Sequence, residues 1–440
     1  MVPPGRPTVG SNMSASQLRQ QPSRSWAIPL AYVVATLVVG MTFPRLEHQL
    51  LPDLVSTVTP GAAMTIASAI ASGMIALTGV VFSLVFVMVQ FSATAYSPRL
   101  VLWVARDPVI GHSLGIFSST FLYSLFLLAW VDRSASGRVP LISMWMTVAL
   151  LIASVGMFVA LLERVGMLQV NRMLITTSRR GRASIEELYP PVGRPGSPAQ
   201  PADYEGLPVT QTVRHRGVPQ VIQSFNLAAL TRLAAEAGAV IEMTAAPGDT
   251  VLELMTLLQV RGARQAIDET ALTRAIHLGD ERTFEQDPKY ALRLLVDIAI
   301  KALSPAINDP TTAVQALDQI EDLLIRMGRR DLDVGGIRDA QGALRVVVPY
   351  PTWNDLLLLA LDEIRSCGAS SLQVMRRMNA LIANLTEVLP AERHPALRHV
   401  AKRLKGTVAR SFADLEEQQD ASVADRQGLG IPEEETPGAA

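Results

Sequence analysis

The chain has 440 residues, an overall hydrophobic fraction of 49 % and a net charge of −1, which leaves no global field to attract nucleic acid. A single cysteine, Cys367, excludes a disulfide framework. The bland average hides a division, because no Asp, Glu, Lys or Arg occurs between Leu54 and Pro98, whereas charges recur every few residues after Glu163.

Residues 1–25 are polar and rich in Pro, Ser and Gln, so a disordered tail is expected there. Four apolar runs follow, at 26–43, 62–95, 112–131 and 141–162. A helix crosses a hydrocarbon core of about 30 Å in about 20 residues, so each run reads as a transmembrane helix. The second is too long for one perpendicular span and is expected as one long helix whose 91–95 end emerges into water. The first is expected to stop before Pro44, so that no ionisable side chain lies within a span and only His112 stands at an edge. That absence argues against a proton-coupled transporter.

In the second run, Ala69 with Gly73 and Ser68 with Ser72 are small-xxx-small pairs that favour close helix packing and leave a homo-oligomer open. Ser68, Ser72, Gly73, Thr78, Gly79 and Ser83 are therefore candidates for helix packing or for the wall of a neutral pore, with packing the simpler account. Arg99 follows Pro98 at the end of that run, and 100–110 reads as a short interfacial helix. With both termini on one side, ten Lys/Arg flank the spans there and three on the other, which predicts cytoplasmic termini. Arg179, Arg180 and Arg182 lie in a basic juxtamembrane stretch and are candidates for contact with lipid headgroups.

After a Pro/Gly linker at 188–210, the pattern predicts a cytoplasmic α+β domain in two parts: a small β-rich α/β module over 211–283 and a helical bundle over 284–418, with a disordered tail from 419. Asn226 and Gly238 bracket a helix over 227–237. Strands are expected at 239–244 and 250–260, separated by a turn at Pro247–Gly248–Asp249. That turn between apolar runs resembles the small β-sandwich of lipoyl carriers. No lysine precedes Lys289, so a covalently attached cofactor is rejected and only a barrel-like shape is retained.

In the stretch 284–327, Asp287–Pro288 and Asp309–Pro310 each read as an N-cap followed by proline at the first helical position. The corner between these two helices gathers Ser304, Asn308, Asp309, Thr311 and Thr312 at a helix N-terminus. It reads first as a structural turn and second as a docking place for a cation, a hydroxylated ligand or a protein partner. Further on, 344–349 reads as a strand, Thr352 caps a helix to Cys367, Ser370 or Ser371 starts another, and 395–417 is a charged helix.

The stretch QDPKYALRLLVDIAIKALSPAINDPTTA, with the Pro-Gly-Asp segment, closely resembles the hallmark of a family of predicted bacterial membrane proteins, domain of unknown function 2254. The resemblance covers roughly 26–389 and implies a membrane location without assigning catalytic residues or cofactors. There is no phosphate-binding loop or dinucleotide fingerprint, and His394 and His399 do not share a helix face. The leading expectation is a membrane-anchored regulatory or scaffold protein, not an enzyme. The alternative is an oligomeric channel lined by the second helix.

Overall fold

The computed structural model describes residues 27–51, 58–95, 108–133, 139–166, 170–191 and 203–430. Expectations for the N-terminal tail, Arg99, the segment 100–107, most of the linker and the last ten residues fall outside that set. The described chain divides into two compact units, with the boundary near residue 168.

The first unit holds α1 (Ala27–Leu50), α2 (Pro60–Ala95), α3 (Pro108–Arg133) and α4 (Leu141–Gly166). Each contains a stretch long and apolar enough to cross a membrane. Large apolar side chains such as Ile75, Phe82, Phe86, Trp145 and Ile152 are more than half exposed, which suits hydrocarbon as the surrounding medium and not water. α1 and α3 lie side by side in the same direction. A side-chain carbon on Gly40 would strike Phe126, and one on Gly115 would strike Tyr32, so glycine is what allows the two backbones to close. α2 is one continuous helix, as its composition suggested. α1 is not as expected, because it passes through Pro44 and continues to Leu50. One missing N–H is tolerated there, and the last turn is held by Glu47.

The second unit begins with α5 (Val170–Leu188), which holds the basic juxtamembrane stretch and is a packed element of this unit. Met173, Leu174 and Ile185 are buried, and Gly181 sits so close to Ala291 and Leu323 that any side chain would collide. The chain then forms β1 (Val209–Arg214), β2 (Gln220–Phe225), α6 (Leu227–Ala237), β3 (Val240–Met243), β4 (Thr250–Val251), β5 (Thr256–Arg261), α7 (Glu269–Arg274) and β6 (Ile276–Gly279). Asn226 caps α6 through Ala229 N, and Gly238 ends it with a positive φ, both as read. The long strand expected at 250–260 is broken into β4 and β5 by a turn around Leu254, whose φ is +64°.

The helices α8 (Pro288–Ala302) and α9 (Pro310–Gly328) follow, then β7 (Gly336–Arg338), β8 (Leu344–Val347), α10 (Trp353–Cys367), α11 (Leu372–Val388), α12 (His394–Ser411) and α13 (Leu415–Ser422). Strand β8 overturns the expected separation into two modules. It pairs parallel with β3, Ile241 opposite Val346, and completes a five-stranded sheet ordered β1-β5-β3-β8-β7. A second, three-stranded sheet runs β4-β2-β6, so the strands form two open sheets and not a barrel. The tail expected from 419 is also revised. Arg376 donates to Asp420 O, Asn379 donates to Ala421 O, and Asp425 accepts from the amides of Gln427, Gly428 and Gly430. Ala421 is fully buried.

Candidate functional site

The corner between α8 and α9 brings Ser304, Asn308, Asp309, Thr311 and Thr312 together, as the spacing implied. Most of its polar groups are used internally. Ser304 Oγ donates to Lys301 O at 2.7 Å, and Asp309 accepts from Thr312 N at 3.1 Å and from Thr312 Oγ1 at 2.5 Å. Asn308 adopts a φ of +47° and is exposed, as is Thr311. The geometry is that of a capped turn, with the cap worth about 1 kcal/mol.

The matching position in front of α8 behaves differently. Asp287 makes no side-chain cap. Its carboxylate is 1 % exposed and takes Arg282 in a two-point contact, Nε to Oδ2 at 2.8 Å and Nη2 to Oδ1 at 3.0 Å. Gly248 of the Pro-Gly-Asp turn, φ +91°, presses against that carboxylate where any Cβ would clash, and Lys289 reaches Asp249 at 3.2 Å. Burial raises the Asp287 pKa, and Arg282 opposes the rise. The hydroxyls of Tyr189 and Tyr350 are buried without hydrogen bonds, and burial raises both pKa values, with Asp287 adding to each rise. The turn at Gly248 thus packs directly against the buried Asp287–Arg282 ion pair at the QDP start of α8. Tyr189 and Tyr350 lie far from Asp287 along the chain, and Arg282, five residues before it, stands outside any motif, so none of the three carried a signal in the sequence.

A groove of about 390 Å³ lies between α9 and α11, lined by Asp318, Glu321, Asp322, Arg377, Asn384 and Arg426, among others. Arg377 is 4 % exposed; its Nε donates to Asp318 at 2.9 Å, and it also holds Glu321, which Asn384 contacts as well. Burial raises the Asp318 pKa, and Arg377 counteracts it. These groups were not singled out in the sequence, because on α9 they read as the solvated face of an amphipathic helix.

Of the expected headgroup arginines, Arg182 is bound to Asp322 at 2.7 Å, Arg180 stacks over Phe284 at 5.6 Å, and Arg179 is exposed. On α2, Ser68, Ser72, Gly73, Gly79 and Ser83 are exposed and Thr78 is half-buried; nothing lies within 4 Å of where a Cβ would stand on Gly73 or Gly79. Among the described residues, the buried polar side chains of the first unit belong to the other three helices. Thr36, Glu47, Ser119, Thr120, Ser143 and Ser154 all face its interior. Among the described residues, no three of His, Cys, Asp or Glu are grouped to hold a metal ion.

Four apolar helices followed by a mixed helical and sheet unit define a multi-pass membrane protein. The chain belongs to the family of predicted membrane proteins termed domain of unknown function 2254, whose model matches residues 22–384. Uncharacterised proteins of Mycobacterium bovis and of Mycobacterium tuberculosis strain H37Rv are each 28 % identical over 410 residues, spanning 88 % of this chain and 77 % of theirs. No solved structure matches.

Proposed function

We propose that the protein is a membrane-anchored regulatory protein whose second unit binds a small polar ligand, on the cytoplasmic side of a bacterial inner membrane. The groove between α9 and α11 carries the reading. A recess of about 390 Å³ is within the range of small-molecule sites, and it contains a buried arginine beside three carboxylates. Asp318 is half exposed and already partly desolvated, so a ligand amine or guanidinium would displace little bound solvent and gain a charged partner. The excess of arginine beside one set of helix ends supports the sidedness. The test uses the full chain in nanodiscs, with spermidine, arginine and glutamate as probes in a thermal-shift titration. Stabilisation by either cation that is lost in Asp318→Asn supports the reading, and a flat response to all three overturns it.

A second reading, a homo-oligomer or channel built on α2, is favoured by the uncovered face at Ser72, Gly73, Gly79 and Ser83. Crosslinking between copies at a cysteine placed at Ser72 would support it, and a monomer in lipid would exclude it.

A further inference from the structure

We infer that the outward face of α12 is a docking surface for a bilayer containing anionic phospholipid, held there by Arg398, Lys402, Lys405 and Arg410. This surface is separate from the groove between α9 and α11 and from the open face of α2.

α12 (His394–Ser411) contains five Lys/Arg and no Asp or Glu. Leu397, Val400, Leu404 and Val408, spaced by three and four, are buried and hold the helix against α10 and α11. Arg403 turns inward and pairs with Asp362 at 2.9 Å. The other four cations are exposed and, among the described residues, enter no ion pair. Arg398, Lys402 and Lys405 stand four and three residues apart, so they fall in one row. Arg410 extends that row to about 18 Å along the axis, at about 1.5 Å per residue.

A charged helix face is ordinarily a solvated one and no more. The other charged faces of this unit, however, join cations to carboxylates across helices: Arg182 to Asp322, Arg293 to Glu363 and Arg326 to Glu186. The row on α12 instead sets like charges three and four residues apart, an arrangement that destabilises a helix, in a chain whose net charge is −1. Of the acidic residues that follow, Asp414 caps α13 and Asp420 meets Arg376 at 3.5 Å. Glu416 and Glu417 are exposed and, among the described residues, form no ion pair with the row. The fold thus holds a single-sign surface without supplying its counter-charge.

An anionic membrane surface supplies it. Such a surface attracts each nearby Lys or Arg, and the attraction falls off within one screening length. The chain carries four apolar helices, so a bilayer is always at high effective concentration for this face. The positions between the cations are small, with Ala401 and Gly406 half-buried and Ala409 exposed, so the face rests on headgroups and does not insert. α12 has no Phe, Tyr or Trp on which bases would stack, which disfavours single-stranded nucleic acid. The headgroup role expected of Arg180 and Arg182, which are engaged within the second unit, passes to α12.

The test uses the full-length protein with Cys367→Ser and Ala409→Cys, labelled with bimane at the new thiol. It is placed in nanodiscs whose phosphatidylcholine carries a headgroup nitroxide. With about a third of the lipid replaced by phosphatidylglycerol, the nitroxide should quench the label about three-fold more than in discs of phosphatidylcholine alone. The difference should vanish at about 1 M salt, where the screening length is about 3 Å. It should also vanish in the triple variant Arg398→Gln, Lys402→Gln, Lys405→Gln, whose exposed positions predict an unchanged melt in detergent. Should that variant melt lower, Lys402→Gln alone takes its place, with a smaller loss. Equal quenching in the two lipid mixtures, or a difference that survives salt or the substitutions, would overturn the inference. A single-stranded oligonucleotide bound by the parent and not by the triple variant, with quenching indifferent to lipid charge, would overturn it in favour of nucleic acid.

Discussion

Replacing Arg377 by methionine tests whether the groove between α9 and α11 is held open by a buried charge network. Arg377 is 4 % exposed and spans Asp318 and Glu321, whose side chains are 50 % and 12 % exposed. Removing one partner of a buried pair costs about 3–5 kcal/mol, because the other charge is stranded. Asp318 can turn to solvent and Glu321 keeps Asn384, so the loss should lie near the lower end, about 3 kcal/mol. For a unit of this size that corresponds to roughly 6–12 °C in Tm. Thermal unfolding of the purified full chain in detergent, followed by tryptophan fluorescence, measures it, with Trp353 reporting on the second unit. Adding Glu321→Met should recover most of the loss, since the stranded charge goes with it. A fall of less than about 2 °C in the single variant, or no recovery in the double, would refute the reasoning.

Three further outcomes follow from the packing. Gly248→Ala places a methyl into Asp287 at a backbone φ of +91° and should destabilise the second unit by more than about 2 kcal/mol, while Gly342→Ala, equally left-handed but open, costs less in the same melt. Gly181→Leu should detach α5 from α8 and α9 and expose the segment 170–191 to limited proteolysis, whereas Ala183→Leu on the exposed face should not. The contact from Arg293 holds the Glu363 pKa below the usual value, so this pair adds stability that is full above about pH 4.3 and fades as pH falls through the lowered folded value. Glu363→Gln should therefore lower Tm slightly at neutral pH and leave it unchanged well below the folded value, which flattens the acid side of the Tm–pH profile.

What the sequence disclosed was local. Asn226 and Gly238, Asp309, and Thr352 each act through atoms three or four residues away, and the helices they bracket appear where their spacing places them. The four apolar runs were equally plain, since hydrocarbon selects on composition alone. What stayed hidden depends on distance along the chain. Asp287 has the same local pattern as Asp309, yet Arg282 and the turn at Gly248 draw its carboxylate away from the helix amides. Pro44 read as a stop, and only the start of α4, nearly a hundred residues later, shows why the helix continues to Glu47. The polar groups of the groove come from α9, α11 and the C-terminal segment, three stretches whose charges each look like an ordinary solvated face.

The pairing of β3 with β8 has a bearing on how the protein is made. A ribosome releases residues 240–243 about a hundred positions before their partner at 344–347, so the middle of the larger sheet has one side unpaired while α8, α9 and β7 are still being synthesised. During that interval the bare flank of β3 is a template for any passing extended segment. A nascent chain stalled between the two, or a gene cut at the end of the β-rich stretch, would be prone to clump, and holdase chaperones should be found on those intermediates and not on the finished protein.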